Sequence, residues 1–228
     1  FMYGNQQSQV DDINNNHKNS FYFGDEIILS PKIKATTNLE EVVGFSDIIL
    51  LSIPTVAMRS VLSNINKLLT KKTIFINTAK GFDLEKKIRL SELIADTIDT
   101  DKIEGIVSLI GPSHAEEVIV RDLTCICSVS SNQEIAMKIA ELFSNNYFRV
   151  YVNDDVIGSE LGVAMKNAIA IGSGILEGLG YGANARAALV TRGLAEMVKF
   201  GMAFGGRPET YLGLTGVGDL MVTSYSFH

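Results

Sequence analysis

The sequence predicts an α/β protein, with a Rossmann-like, mostly parallel sheet domain followed by an all-helical domain. Two observations carry this. From Ile33 onward, short apolar runs alternate with helical patterns, as a parallel sheet with crossover helices requires. After Asn153 strand alternation stops, and two long helical segments follow, separated by the turn EGLGYGAN. A chain of 228 residues with 46% hydrophobic content is long enough to bury a core in each half.

The elements follow in order. Phe1-Met2-Tyr3 reads as the last residues of a strand before a Gly4-Asn5 turn, so the chain is expected to open inside an element. Residues 5–32, with the polar stretch DDINNNHKNS, read as a short helix and a surface loop. Strands are expected at DIILLSIP (47–54), TIFINTA (73–79), GIVSLIG (105–111), TCICSV (124–129) and FRVYVN (148–153). Several are apolar on both faces, as strands covered on two sides must be. Helices are expected at 56–69, 86–98 and 132–144, from apolar residues spaced three or four apart, and then near 156–179 and 185–204. The boundary falls near residue 153, giving domains 1–153 and 154–228.

Composition narrows the partners. The net charge of −6, with no run of lysine or arginine, argues against a nucleic-acid or anionic-membrane surface and leaves room for a small phosphate ligand in a local basic pocket. No apolar run reaches the ~18 residues of a membrane span. Cys125 and Cys127 share one face of a strand instead of forming CxxC, so they read as core residues, and no metal site is expected.

Ligands of an open parallel sheet sit at the carboxyl ends of its strands. Three sequences fall there: IPT, containing Pro54, AKGF, containing Lys80 and Gly81, and GPSHAEEV, containing Gly111, Ser113 and His114. Each has an ordinary reading as well, a solvated lysine, a tight Gly-Pro turn or a hydrogen-bonded loop histidine. Lys166 stands out more, because LGVAMKNAIAIGSGIL (161–176) is otherwise uncharged, and a helix apolar on all sides is buried. A buried ammonium titrates nearer neutrality and suits proton transfer; a lysine that snorkels or pairs for structural reasons fits the local pattern equally. Asn167 adjoins it. Asp219, in TGVGDL, suits a helix cap or a site carboxylate.

Taken together and in order, NTAKGF (77–82), GPSHAEEV (111–118), residues 148–197 and LTGVGDLMVTSYS (214–226) resemble NAD(P)-dependent glycerol-3-phosphate dehydrogenase of the bacterial and plastid type. The resemblance implies a dinucleotide-binding domain joined to a helical substrate domain. It further implies hydride transfer between NAD or NADP and the pair dihydroxyacetone phosphate and sn-glycerol 3-phosphate, supplying glycerolipid precursors. Lys166 matches the family's catalytic acid or base. Lys80 matches a lysine contacting substrate and cofactor; Gly111, Ser113 and Asp219 match substrate contacts, with Asn167 and Thr223 beside them. Ala115, Pro54 and Asn5 are the further expected cofactor contacts. The family's glycine-rich GxGxxG loop does not occur before Tyr3, and the Ser-Arg-Asn group that follows GDL is not reached by His228, so both domains are expected to be incomplete. Asn5, at the end of the second family strand, is neither acidic nor basic and leaves the choice of nucleotide open. A homodimer in the cytosol is the default expectation, an organelle such as the plastid being the other possibility. The competing readings are another two-domain hydroxy-acid dehydrogenase and an inactive relative kept as a binding module.

Overall fold

The computed structural model describes residues 1–225. A two-stranded parallel ladder opens it, β1 (Met2–Tyr3) against β2 (Ala35–Thr36), with Met2 opposite Ala35. The connection holds α1 (Gln7–Asp11), a π turn (Asp12–Asn16) and α2 (Ser20–Phe23). Next come α3 (Leu39–Phe45), β3 (Ile48–Leu51), α4 (Thr55–Leu68), β4 (Thr73–Asn77), α5 (Leu90–Thr97), β5 (Ile103–Ile110) and α6 (Ala115–Ile119). β6 (Thr124–Val129), α7 (Gln133–Phe143) and β7 (Phe148–Asn153) complete the α/β half. The helical half contains α8 (Val156–Gly178), α9 (Ala183–Ala203), α10 (Pro208–Tyr211), a π turn (Leu214–Gly218) and α11 (Asp219–Tyr225).

The main sheet has the order β3-β4-β5-β6-β7, so each strand pairs with its neighbour in sequence. All five residues of β4 are buried, the polar Thr73 and Asn77 at its ends included, as a strand covered on both faces requires. Its side chains alternate between two cores. Phe75 packs with Leu51, Met58, Leu62, Leu93 and Ile94, under α4 and α5. Ile74 and Ile76 pack with Val107, Ile126, Ile139 and Val150, under α7. Burial of a side chain of this size contributes about 1.5–3 kcal/mol, and changing the parity of β4 by one residue would reverse both sets.

Two features differ in detail from the sequence reading. β6 runs antiparallel to β5, with Ser108 opposite Val129 and Ile110 opposite Cys127, and β7 then runs parallel to β6. The link between β5 and β6 carries only the five-residue α6, so the chain turns back at the same sheet edge instead of crossing a face. Second, the helix expected from residue 86 starts at Leu90. The preceding residues close a tight loop: Asp83 Oδ2 accepts from the Lys86 N–H at 2.8 Å, the Asp83 N–H donates to the Ile88 carbonyl at 3.0 Å, and Phe82 bridges Arg89. An aspartate that bonds its own downstream backbone competes with helix formation.

The cysteines divide. Cys127 is buried with Ile110, Val129 and Val163, and burial pushes its thiol up to about 11, whereas Cys125 is half-buried. α8 is capped by Asp155, whose Oδ1 accepts from the Gly158 N–H at 2.8 Å. The same carboxylate takes the Arg207 N–H at 2.8 Å and the Thr210 hydroxyl at 2.6 Å, and so fixes α10 against the start of α8. Among the described residues no helix is long and apolar enough to cross a membrane.

Candidate active site

β3, β4 and β5 are parallel, so the segments after them share one sheet edge. After β4, Asn77 accepts from the Ala79 N–H and donates to the Ala79 carbonyl, both at 3.0 Å, which turns the chain out of the strand. Lys80 follows, and Gly81 takes a φ of 123° that disfavours side chains. After β5, Gly111 has a φ of 148°, and a Cβ there would sit 3.0 Å from the Ile126 Cα. Both glycines are therefore demanded by local geometry where the chain leaves the sheet.

Lys80 Nζ donates to the Gly111 carbonyl at 3.0 Å and to both oxygens of Asp219, at 2.8 and 3.0 Å. Asp219 opens α11 directly after the π turn and is 1% exposed. From the middle of α8, Lys166 Nζ reaches Asp219 Oδ1 at 3.0 Å, the Thr223 hydroxyl, and the Asp219 carbonyl at 3.5 Å. The Thr223 hydroxyl donates to the Asp219 carbonyl at 2.9 Å, so its oxygen is left to accept from Lys166. One carboxylate thus lies between two ammonium groups, and the cluster carries a net positive charge. Burial holds Lys166 below the usual lysine value of 10.5; Asp219 opposes that shift and Lys80 adds to it.

Five of the expected residues, Lys80, Gly111, Lys166, Asp219 and Thr223, therefore meet in one hydrogen-bonded cluster. Ser113 is exposed beside it, its hydroxyl donating to the Gly111 carbonyl at 3.3 Å, and Asn167 is exposed next to Lys166. Pro54 occupies the N-cap position of α4 and Ala115 the first position of α6, both exposed at the same edge. Asn5 is exposed after β1, in the separate ladder. His114 is half-buried at the N-cap position of α6. A groove of about 760 Å³ lies away from this cluster, between β6, β7 and residues 207–215. No group of three or more His, Cys, Asp or Glu among the described residues could hold a metal ion.

Comparison with known proteins decides the family. Residues 1–136 match the model for the NAD-dependent glycerol-3-phosphate dehydrogenase N-terminus, and residues 155–228 match that for its C-terminus. The chain belongs to the NAD-dependent glycerol-3-phosphate dehydrogenase family. Over 227 residues it is 47% identical to the glycerol-3-phosphate dehydrogenase [NAD(P)+] of Listeria monocytogenes, covering 100% of this chain and 67% of that one. The Enterococcus faecalis enzyme of the same name is 48% identical, with 66% of its length covered. A crystal structure of glycerol-3-phosphate dehydrogenase from Coxiella burnetii superposes with a TM-score of 0.92 at 33% identity, covering 99% of this chain and 68% of that one. The chain thus spans about two thirds of the length of these relatives, and it is an NAD(P)-dependent oxidoreductase by family.

The cofactor implied by the family fits the residues present. The first turns of α4 and α6 have no side-chain cap, which leaves backbone N–H groups at the edge where the exposed Pro54 and Ala115 sit, and Lys80 supplies a cation. Besides Asp83, which closes the loop before α5, two buried carboxylates escaped the sequence reading. Asp155 reads locally as a cap alone, and Glu160, 5% exposed, lies one residue outside the uncharged stretch that drew attention to Lys166. Arg186 was also missed; it donates to the Ser224 carbonyl at 2.7 Å and to Ser173 Oγ at 3.2 Å, and lies over the Tyr225 ring.

Proposed function

We propose that this chain carries the proton-transfer centre for interconversion of dihydroxyacetone phosphate and sn-glycerol 3-phosphate, with Lys166 as general acid and base. The observation that carries the proposal is the buried Lys166 held against Asp219 and Thr223, with a second ammonium, Lys80, on the same carboxylate. When bound, the nicotinamide of NAD or NADP supplies or accepts the hydride at the substrate's central carbon.

The chain's own residues do the rest. In the reducing direction the carbonyl oxygen gains negative charge, and Lys166, more acidic than a free lysine because it is buried, stabilises that charge and donates its proton. Two of its hydrogen bonds hold the ammonium in place, to Asp219 Oδ1 and Thr223. The third, at 3.5 Å to the Asp219 carbonyl, is the weakest, and a substrate oxygen replaces it. Asp219 keeps Lys166 charged until the transfer and orients Lys80, which together with Gly111 and Ser113 contacts the substrate. Asn167 contacts the substrate beside Lys166. Lys80, Pro54, Ala115 and Asn5 are the cofactor contacts, and a cytosolic homodimer supplying glycerolipid precursors completes the proposal.

The test uses the full chain that the gene encodes. NADH and NADPH oxidation is followed on adding dihydroxyacetone phosphate and, separately, unphosphorylated dihydroxyacetone. Turnover that requires the phosphate supports the proposal; a folded protein that oxidises neither nucleotide overturns it.

A further inference from the structure

We propose that Glu160 is a positioning residue that sets the placement of Lys166 against Lys80 and Gly111, an inference that rests on the dehydrogenase reading of that cluster. The Glu160 carboxylate, on α8, binds two other segments at once, β5 and the start of α5. From β5, the Ser108 hydroxyl donates to Oε1 at 2.6 Å. From the first turn of α5, Ser91 donates through its N–H to Oε1 at 3.3 Å and through its hydroxyl to Oε2 at 2.7 Å. From the residue before α5, the Arg89 guanidinium donates to Oε2 at 3.1 Å.

These two segments, and α8 itself, each lead to the active-site cluster. Ser108 stands three positions before Gly111, whose carbonyl accepts from Lys80. Arg89 is bridged to Phe82, two positions after Lys80. Glu160 precedes Lys166 by six positions, about 9 Å along the same helix. One carboxylate therefore ties together the three backbones that carry Lys80, Gly111 and Lys166. The neighbouring apolar contacts of α8 with the sheet, Val163 against Ile110, Cys127 and Val129, are non-directional and would tolerate sliding. Hydrogen bonds to both oxygens of a buried carboxylate do not, because their geometry fixes distance and direction together. An apolar side chain could fill the same space without the desolvation penalty of a carboxylate; what Glu160 adds is register.

The test compares Glu160→Ala, Glu160→Gln and Ser108→Ala with the parent, all in the full chain. Steady-state kinetics with dihydroxyacetone phosphate give kcat and KM. Reductive methylation followed by mass spectrometry gives the reactivity of Lys166 relative to Lys199, an exposed lysine on α9. Glu160→Ala is expected to lower kcat at least tenfold while KM changes less than threefold, and to raise relative Lys166 methylation at least tenfold. Glu160→Gln, whose amide confronts Arg89, and Ser108→Ala, which loses one bond, are expected to move both readouts by smaller factors in the same direction. Should Glu160→Ala fail to fold, the other two variants decide. Lys166 reactivity and kcat within twofold of the parent would overturn the proposal. So would kcat, KM and melting temperature worsening together, which marks general destabilisation. If the parent does not turn over the substrate, the proposed function fails, and methylation alone decides whether Glu160 positions Lys166.

Discussion

Lys80 and Lys166 address the same oxygen of Asp219, at 2.8 and 3.0 Å, although one follows a strand of the sheet and the other sits in the middle of the longest helix. Each ammonium has one further partner of its own, the Gly111 carbonyl for Lys80 and the Thr223 hydroxyl for Lys166. The cluster exists only where the two halves of the chain meet.

Lys166→Ala removes the proposed acid from a buried position. Turnover of dihydroxyacetone phosphate is expected to fall about 10²–10⁴-fold, the usual range for loss of a positioned proton donor. Initial rates at saturating substrate, with circular dichroism to verify the fold, check it. A variant that retains more than a tenth of parental turnover would remove Lys166 from the chemistry.

Carbonyl reduction needs the ammonium form, so its rate should decline as pH rises through the Lys166 value, which burial places below 10.5. The charge on Lys80 also lowers that value and Asp219 raises it. Lys80→Met should therefore move the alkaline limb of the kcat profile to higher pH, and Asp219→Asn should move it lower, whatever each does to the maximum rate. Limbs that stay in place, or move in the reverse sense, would show that another group controls them.

Asp219→Ala leaves two ammonium groups facing each other, one of them buried. Breaking a buried pair in this way costs about 3–5 kcal/mol, which urea denaturation measures from the midpoint and slope. A loss under about 1 kcal/mol would mean that water screens the pair.

Tyr211 is 0% exposed and its hydroxyl has no hydrogen-bond partner among the described residues; burial pushes the phenol up to about 12. Tyr211→Phe is expected to stabilise the protein by about 1–3 kcal/mol, the penalty of an unpaired buried polar group. Gly201→Ala should do the opposite, because its Cβ would lie 1.6 Å from that hydroxyl oxygen. Thermal melting of both variants gives the comparison, and a destabilised phenylalanine variant would reveal an undetected partner for the hydroxyl.

Much of this was readable from sequence because the relevant signals are local. Apolar spacing placed α7, α8 and α9 within two residues of their observed ends, and apolar runs marked the five strands of the main sheet. Lys166 was conspicuous because its neighbours carry no charge. What local signals could not supply was pairing across the chain. From its local pattern Asp219 suits a cap as well as a site carboxylate, and its contacts, 139 residues away at Lys80 and 53 at Lys166, carry the information that the pattern lacks. Glu160 was overlooked for the same reason, since its donors come from β5 and the start of α5. The reversal of β6 was hidden because alternation along a strand carries no information about its direction.

The sheet order has a consequence for synthesis. Because β3 to β7 each pair with the strand beside them in sequence, the sheet can assemble as it leaves the ribosome, N-terminal elements first. Asp219 emerges 139 residues after Lys80, when that sheet is already complete. The nascent chain therefore builds its scaffold first, and the cluster proposed to transfer protons closes last.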